Sequence, residues 1–86
     1  SPYNDARESL VTIHYHPNQT PHDEISWTPC PMDAGKGALT VKTNTGLSVI
    51  NIHLPYNSES AISLLRQIHW PEENTPYVLT GDMNQD

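Results

Sequence analysis

The chain has 86 residues, a formal charge of −6 and eight prolines, and only 35% of its residues are hydrophobic. A chain of this length forms one domain at most and buries a smaller share of its surface than a larger domain does. The charge disfavours a broad nucleic-acid interface, which usually carries a basic face, and the single cysteine, Cys30, excludes an internal disulfide and a zinc site of paired cysteines.

The first half of the chain has little periodicity. Residues 10–16 are rich in β-branched and aromatic side chains and precede Pro17-Asn18, which predicts a strand. Residues 18–33 contain three prolines among polar residues, a pattern typical of a loop, and a second short strand is predicted near residues 25–28. Because the chain starts at Ser1 and stops at Asp86, directly after a motif, we interpret residues 1–86 as part of one domain with both ends truncated.

The second half shows a hairpin pattern. Residues 37–43 and 47–54 are predicted strands that flank Asn44-Thr45-Gly46, whose glycine tolerates the positive φ of a tight turn. In the second of these strands, a period of two places apolar residues on both faces. This pattern predicts an inner strand that is covered on each side.

A helix and a further strand are predicted next. Asn57 or Ser58 can cap the helix, and Pro71 should end it. The apolar stripe of the helix follows the spacing i, i+3, i+4, i+7 and consists of Ala61, Leu64, Leu65 and Ile68. Residues 77–80 then predict a short buried strand. The helical crossover is long enough for the strands before and after it to run parallel.

Polar residues follow these two parallel strands where each strand ends. His53 ends one strand, and Asp82 and Asn84 follow the next. Because the carboxyl ends of parallel strands meet at the same edge of a sheet, the three side chains should converge there. A histidine, a carboxylate and an amide at one edge fit the attack of water on a phosphoester, which needs a group that orients the water, donors for the developing negative charge and usually a divalent metal.

Residues 36–86 resemble the middle of the endonuclease/exonuclease/phosphatase family, which includes DNase I-like nucleases, apurinic endonucleases, sphingomyelinases, inositol-polyphosphate phosphatases and deadenylases. The matching segments are KGALTV at 36–41, VINIHL at 49–54, RQI at 66–68 and YVLTGDMN at 77–84. Family members share Asn-x-His-Leu and, one helix later, Gly-Asp-Phe-Asn; this chain has Met83 in place of the phenylalanine. The resemblance implies an α/β fold, specifically part of a four-layer α/β sandwich.

The resemblance also assigns roles to individual residues. It implies that Asp82 orients or deprotonates the attacking water and that Asn84 hydrogen-bonds the phosphate or a metal-bound water. It implies that His53 contacts the scissile phosphate or acts as an acid. Asn51 is expected to support these residues from behind, and Gly81 is expected to permit a sharp exit from the strand and a close approach of the backbone.

The resemblance further implies a cofactor and partners. Mg²⁺ or Mn²⁺ is expected in the intact parent protein, but no residue of this chain matches the glutamate that binds metal in the family, nor its closing histidine near the C-terminus. The metal ligands are therefore unknown, and we expect the isolated chain to be inactive. The expected partners are a phosphoester (a nucleic acid, a phospholipid head group or an inositol phosphate) and the remainder of the same domain. No transmembrane segment is predicted.

Other interpretations of the same residues stay open. Gly-Asp-x-Asn is also good turn chemistry at the end of a strand, and the chain can be a non-catalytic scaffold or interaction piece that keeps the fold. A third hypothesis is a metal-binding module that uses His14, His16 and His22. Trp27 and Trp70 are predicted to be packing aromatics.

Overall fold

The computed structural model describes residues 9–15, 23–33 and 35–84. Within these ranges the chain forms one four-stranded mixed sheet and one helix, so the predicted α/β class is confirmed. In chain order the elements are β1 (Glu24–Pro29), β2 (Gly37–Lys42), β3 (Ser48–His53), α1 (Ser58–Gln67) and β4 (Tyr77–Asp82). The strands lie in the sheet in the order β1-β2-β3-β4, with α1 connecting the last two.

The predicted hairpin is formed by β2 and β3, which pair antiparallel. Its turn is closed by two backbone hydrogen bonds: the Thr43 amide donates to the Leu47 carbonyl at 2.8 Å, and the Gly46 amide donates to the Thr43 carbonyl at 3.0 Å. Gly46 has a φ of 90°, which a glycine adopts without the steric cost of a Cβ. The strand predicted near residues 25–28 is β1, which pairs antiparallel with the other edge of β2.

Side-chain hydrogen bonds satisfy free backbone groups at both ends of helix α1. The Asn57 side chain accepts from the Ser60 amide at 2.9 Å, an N-cap that satisfies one of the free donors of the first turn. The helix ends at Gln67, several residues before Pro71, which was expected to end it. The indole N–H of Trp70 donates to the Leu65 carbonyl at 2.9 Å, and this bond satisfies a carbonyl that would otherwise accept from the next turn.

The core lies between α1 and one face of the sheet. The predicted stripe faces this core: three of its four residues are buried and Leu65 packs against them partly buried. The core consists of Cys30, Ala38, Ile50, Ile52, Leu54, Ala61, Leu64 and Ile68. Strand β3 is an inner strand as predicted, and its alternate residues are buried on the helix side and half-buried on the other. Cys30 is thus a buried core thiol.

Strands β3 and β4 pair parallel, as the helical crossover predicts. The prediction that residues 77–80 are buried is wrong, since every residue of β4 is exposed. Its apolar residues Tyr77, Val78 and Leu79 each leave more than two fifths of their surface open. Strand β4 is exposed because it lies at one edge of the described sheet. The core beneath α1 contains residues of β2 and β3 but none of β4.

The strand predicted for residues 10–16 is also wrong as far as it is described. Residues 10–15 have no strand pairing, and His16 lies outside the described residues. Two hydrogen bonds hold this segment instead. The Asn51 side chain donates to the Val11 carbonyl at 3.2 Å, and Nδ1 of His14 lies 3.0 Å from a carboxylate oxygen of Asp23. A segment rich in β-branched and aromatic residues therefore lies here without a paired strand among the described residues.

In the part of the chain that the structure describes, no helix has the length and hydrophobicity to cross a membrane.

Candidate active site

The parallel register of β3 and β4 brings His53 and Asp82 together. These residues are direct partners at the carboxyl ends of the two strands, and Nε2 of His53 lies 3.9 Å from Oδ2 of Asp82. The imidazole is largely buried, with 17% of its side chain exposed, whereas the carboxylate is 66% exposed. The site therefore presents a positioned imidazole beside a carboxylate that remains open to water.

Asp82 and Asn84 form a local turn at the end of β4. Oδ1 of Asp82 accepts a hydrogen bond from the Asn84 amide at 2.9 Å, the side-chain-to-backbone contact of an Asx turn. Asn84 has a φ of 46°, a left-handed conformation that asparagine tolerates better than most residues. The turn engages one carboxylate oxygen and leaves Oδ2 facing His53.

Leu54 ties the turn back to β3 through its backbone. The Leu54 amide donates to the Asp82 carbonyl at 3.0 Å, and the Leu54 carbonyl accepts from Nδ2 of Asn84 at 2.8 Å. These bonds hold the side-chain amide of Asn84 next to the end of β3. Its second N–H can still donate a hydrogen bond, and its oxygen can still accept one. In the Asn-x-His-Leu motif Leu54 stands out only as an apolar residue. Its contribution to the turn was not predicted, because the two groups that form these hydrogen bonds belong to its backbone.

Gly81 lies against the backbone of β3 at a position with no room for a side chain. It has a φ of 130°, and a Cβ at this position would overlap the carbonyl oxygen of Ile52, its partner in the register. A close approach of the backbone, as expected for Gly81, is therefore observed.

Asn51 lies on the same face of β3 as His53, two residues earlier. Its amide group donates to the Val11 carbonyl, and in the register it pairs with Thr80 rather than with Asp82. The contact holds residues 9–15 over this face of the sheet. Asn51 thus contacts the covering segment, and a role in support of His53 stays a prediction.

The described residues do not make a metal site of their own. No group of three or more histidine, cysteine, aspartate or glutamate residues within them lies close enough to hold an ion. Asp82 supplies one exposed carboxylate at the candidate site. Mg²⁺ prefers six oxygen ligands, so this donor set does not fit a resident metal without further ligands.

Of the three histidines in the zinc hypothesis, the structure describes His14. His14 pairs with Asp23, whose side chain is 16% exposed, and that pair accounts for its Nδ1. His16 and His22 lie outside the described residues.

Comparison of this chain with protein-family models, with curated proteins and with solved structures gives no match. The resemblance to the endonuclease/exonuclease/phosphatase family therefore rests on the quoted residues and on their order along the chain.

Proposed function

We propose that this chain is part of a metal-dependent phosphoester hydrolase in which water attacks phosphorus. The observation that supports the proposal is the placement of His53 opposite Asp82, 3.9 Å apart, at the carboxyl ends of parallel strands. Ligands of open α/β sheets collect at such ends. The exposed carboxylate can hydrogen-bond a water molecule, and the imidazole beside it can contact a phosphate.

The proposed reaction uses the three side chains in different roles. Asp82 orients the attacking water and accepts its proton as the water oxygen bonds to phosphorus. Asn84 donates its remaining N–H to a phosphate oxygen, and His53 donates a hydrogen bond to the phosphate or a proton to the leaving oxygen as the ester P–O bond breaks. Donors positioned in advance stabilise the charge of the transition state, because they need no reorganisation as it forms.

The intact parent protein is proposed to require Mg²⁺ or Mn²⁺, which would neutralise charge on the phosphoryl oxygens. Since the described residues do not hold a metal by themselves, its other ligands would come from elsewhere in the parent. We also propose that β4 packs against the remainder of the same domain in a four-layer α/β sandwich. A neighbouring strand there would cover Tyr77, Val78 and Leu79, which are exposed in this chain.

The substrate is proposed by class alone: a phosphodiester or phosphomonoester in a nucleic acid, a phospholipid head group or an inositol phosphate. The charge of −6 favours the smaller and lipid-borne members of this group, because a polyanion would be repelled by an acidic surface.

Replacing His53 by alanine in the full-length parent protein tests the proposed role of the imidazole. Removing one positioned donor should lower kcat about a hundredfold, since such donors are worth roughly 10²–10³ in rate. Hydrolysis of bis-p-nitrophenyl phosphate in Mg²⁺ measures the rate. His69→Ala is the matched control, because His69 is exposed in the loop after α1, and should stay within about twofold of the wild type. Equal rates for His53→Ala and the wild type would contradict the role.

A second candidate function is a non-catalytic interaction piece, and the exposed edge of β4 favours it. An edge strand offers unpaired backbone groups to another chain, and the apolar residues of β4 would be buried by such a partner. Under this alternative Asp82 and Asn84 serve only the turn that they form. The two candidates differ in whether the full-length protein hydrolyses phosphoesters.

A further inference from the structure

A pocket of about 480 Å³ lies at the opposite end of the sheet from His53 and Asp82. Its floor is formed by the start of β1, the end of β2 and the start of β3, and its wall is the loop of residues 69–75 after α1. The five-residue step from Ser48 to His53 along β3 corresponds to about 16 Å at roughly 3.3 Å per residue. The pocket is thus separate from the candidate active site, and its volume is within the range of small-molecule sites.

The floor of the pocket is polar, since three of its residues carry hydroxyl groups. Ser26, Thr40 and Ser48 lie on the face that carries the core residues Ile50 and Ile52 further along, as the strand registers show. Thr40 exposes only 9% of its surface, and its hydroxyl oxygen is shielded from solvent and has no hydrogen-bond partner, so the hydroxyl would meet a ligand after rotation of the side chain toward the pocket. An unpaired hydroxyl at a pocket floor is a position where a ligand donor gains a hydrogen bond that the protein does not provide.

The walls carry an excess of negative charge beside an aromatic ring. Glu24 and Glu72 both line the pocket, and Lys42, the register partner of Glu24, offsets one of the two charges. His69 also lines the pocket and adds no charge when it is counted as neutral. Trp70, two residues before Glu72, also lines the pocket and leaves 40% of its surface exposed. A carboxylate and an exposed tryptophan that line one pocket can both attract a cation, the first through its charge and the second through the π face of its ring.

We propose that this pocket binds a small organic cation, an alkylammonium or alkylguanidinium. The positive nitrogen would lie between the Glu72 carboxylate and the Trp70 indole and would donate one N–H to the Thr40 hydroxyl, whose side chain would rotate toward the ligand. The alkyl chain would extend over Pro71 and Ile25, the apolar part of the lining. An anion is disfavoured because the lining carboxylates outnumber the lysine. This second site does not depend on the proposed hydrolase activity, and its test requires no substrate.

Tryptophan fluorescence of the 86-residue chain tests the proposal. In a Trp27→Phe background Trp70 is the only tryptophan, so its emission reports the pocket alone. We expect n-butylammonium chloride to change this emission saturably, with a dissociation constant in the millimolar range that is typical of so few ligand atoms. Sodium butyrate and 1-butanol, which keep the four carbons and change the head group, should produce no saturable change at matched ionic strength.

Three variants in this background assign the binding to the proposed groups. Glu72→Gln should raise the dissociation constant at least fivefold, whereas Glu73→Gln, which removes the same charge one residue outside the lining, should change it less than twofold. Thr40→Val keeps the shape and removes the hydroxyl, and should raise the constant about threefold or more. The same saturable response to all three probes, no saturation with n-butylammonium, or equal constants for Glu72→Gln and Glu73→Gln would overturn the proposal.

Discussion

Replacing Gly81 by alanine should lower the free energy of unfolding by about 3 kcal/mol or more, through backbone strain of roughly 1–3 kcal/mol and a steric overlap of similar size. Its φ of 130° is unfavourable for any residue with a Cβ, and the new Cβ would overlap the carbonyl oxygen of Ile52. The overlap is with backbone, so no side-chain rotation can relieve it. At roughly 0.05–0.15 kcal/mol per residue, this is a large part of the stability expected for a small chain.

Urea denaturation followed by circular dichroism measures this loss, and Gly46→Ala is its matched control. Gly46 also has a positive φ, 90°, but a Cβ there would have no atom within 4 Å. Gly46→Ala should therefore cost only the backbone strain, about 1–2 kcal/mol. Equal losses in the two variants would show that β4 does not approach β3 as closely as the structure indicates.

Replacing Asp82 by asparagine in the full-length parent protein should lower kcat for phosphoester hydrolysis by about 10²–10⁴, the usual contribution of a positioned acid or base. Asparagine has nearly the same shape, and its side-chain oxygen can still accept the hydrogen bond that Oδ1 of Asp82 accepts from the Asn84 amide. The turn is therefore kept while the charge and basicity are lost. This substitution separates the chemical role of Asp82 from its structural one.

Two comparisons make the Asp82→Asn result specific. Asp33→Asn changes a carboxylate in the loop between β1 and β2 and should keep the rate within about twofold. The midpoint of urea denaturation should be nearly the same for Asp82→Asn and the wild type. If Asp82→Asn hydrolyses substrate at the wild-type rate, then Asp82 acts only in the turn.

The sequence was sufficient for the elements whose signals are local. The turn at residues 44–46 needs a glycine with positive φ, and the spacing of Ala61, Leu64 and Ile68 needs a helix with one buried face, so both could be predicted without knowing the rest of the fold. The parallel pairing of β3 and β4 followed from the length of the crossover between them. That pairing is also what places His53 opposite Asp82.

The errors concern properties that depend on distant partners. Residues 10–15 are rich in β-branched and aromatic residues but pair with no strand in the described part of the chain, and β4 is apolar like a buried strand but lies at the edge of the described sheet. The pocket beside Trp70 was not predicted either, because its lining comes from segments far apart in the chain. The sequence contained one indication of the pocket. Ser48 lies on the same face of β3 as Ile50 by the period of two, and Thr40 pairs with Ile50 in the hairpin. These two polar residues mark where the apolar core ends.

The hydrolase proposal is tested most directly by incubating the full-length parent protein with a panel of phosphoesters in Mg²⁺ and again in excess EDTA. The panel should contain a bis-aryl phosphodiester, an oligonucleotide, a phospholipid and an inositol phosphate. We predict Mg²⁺-dependent hydrolysis of at least one member and loss of that activity in EDTA. Hydrolysis of no member of the panel in Mg²⁺ would contradict the proposal and favour the interaction piece, in which Asp82 and Asn84 only form the turn at the end of β4.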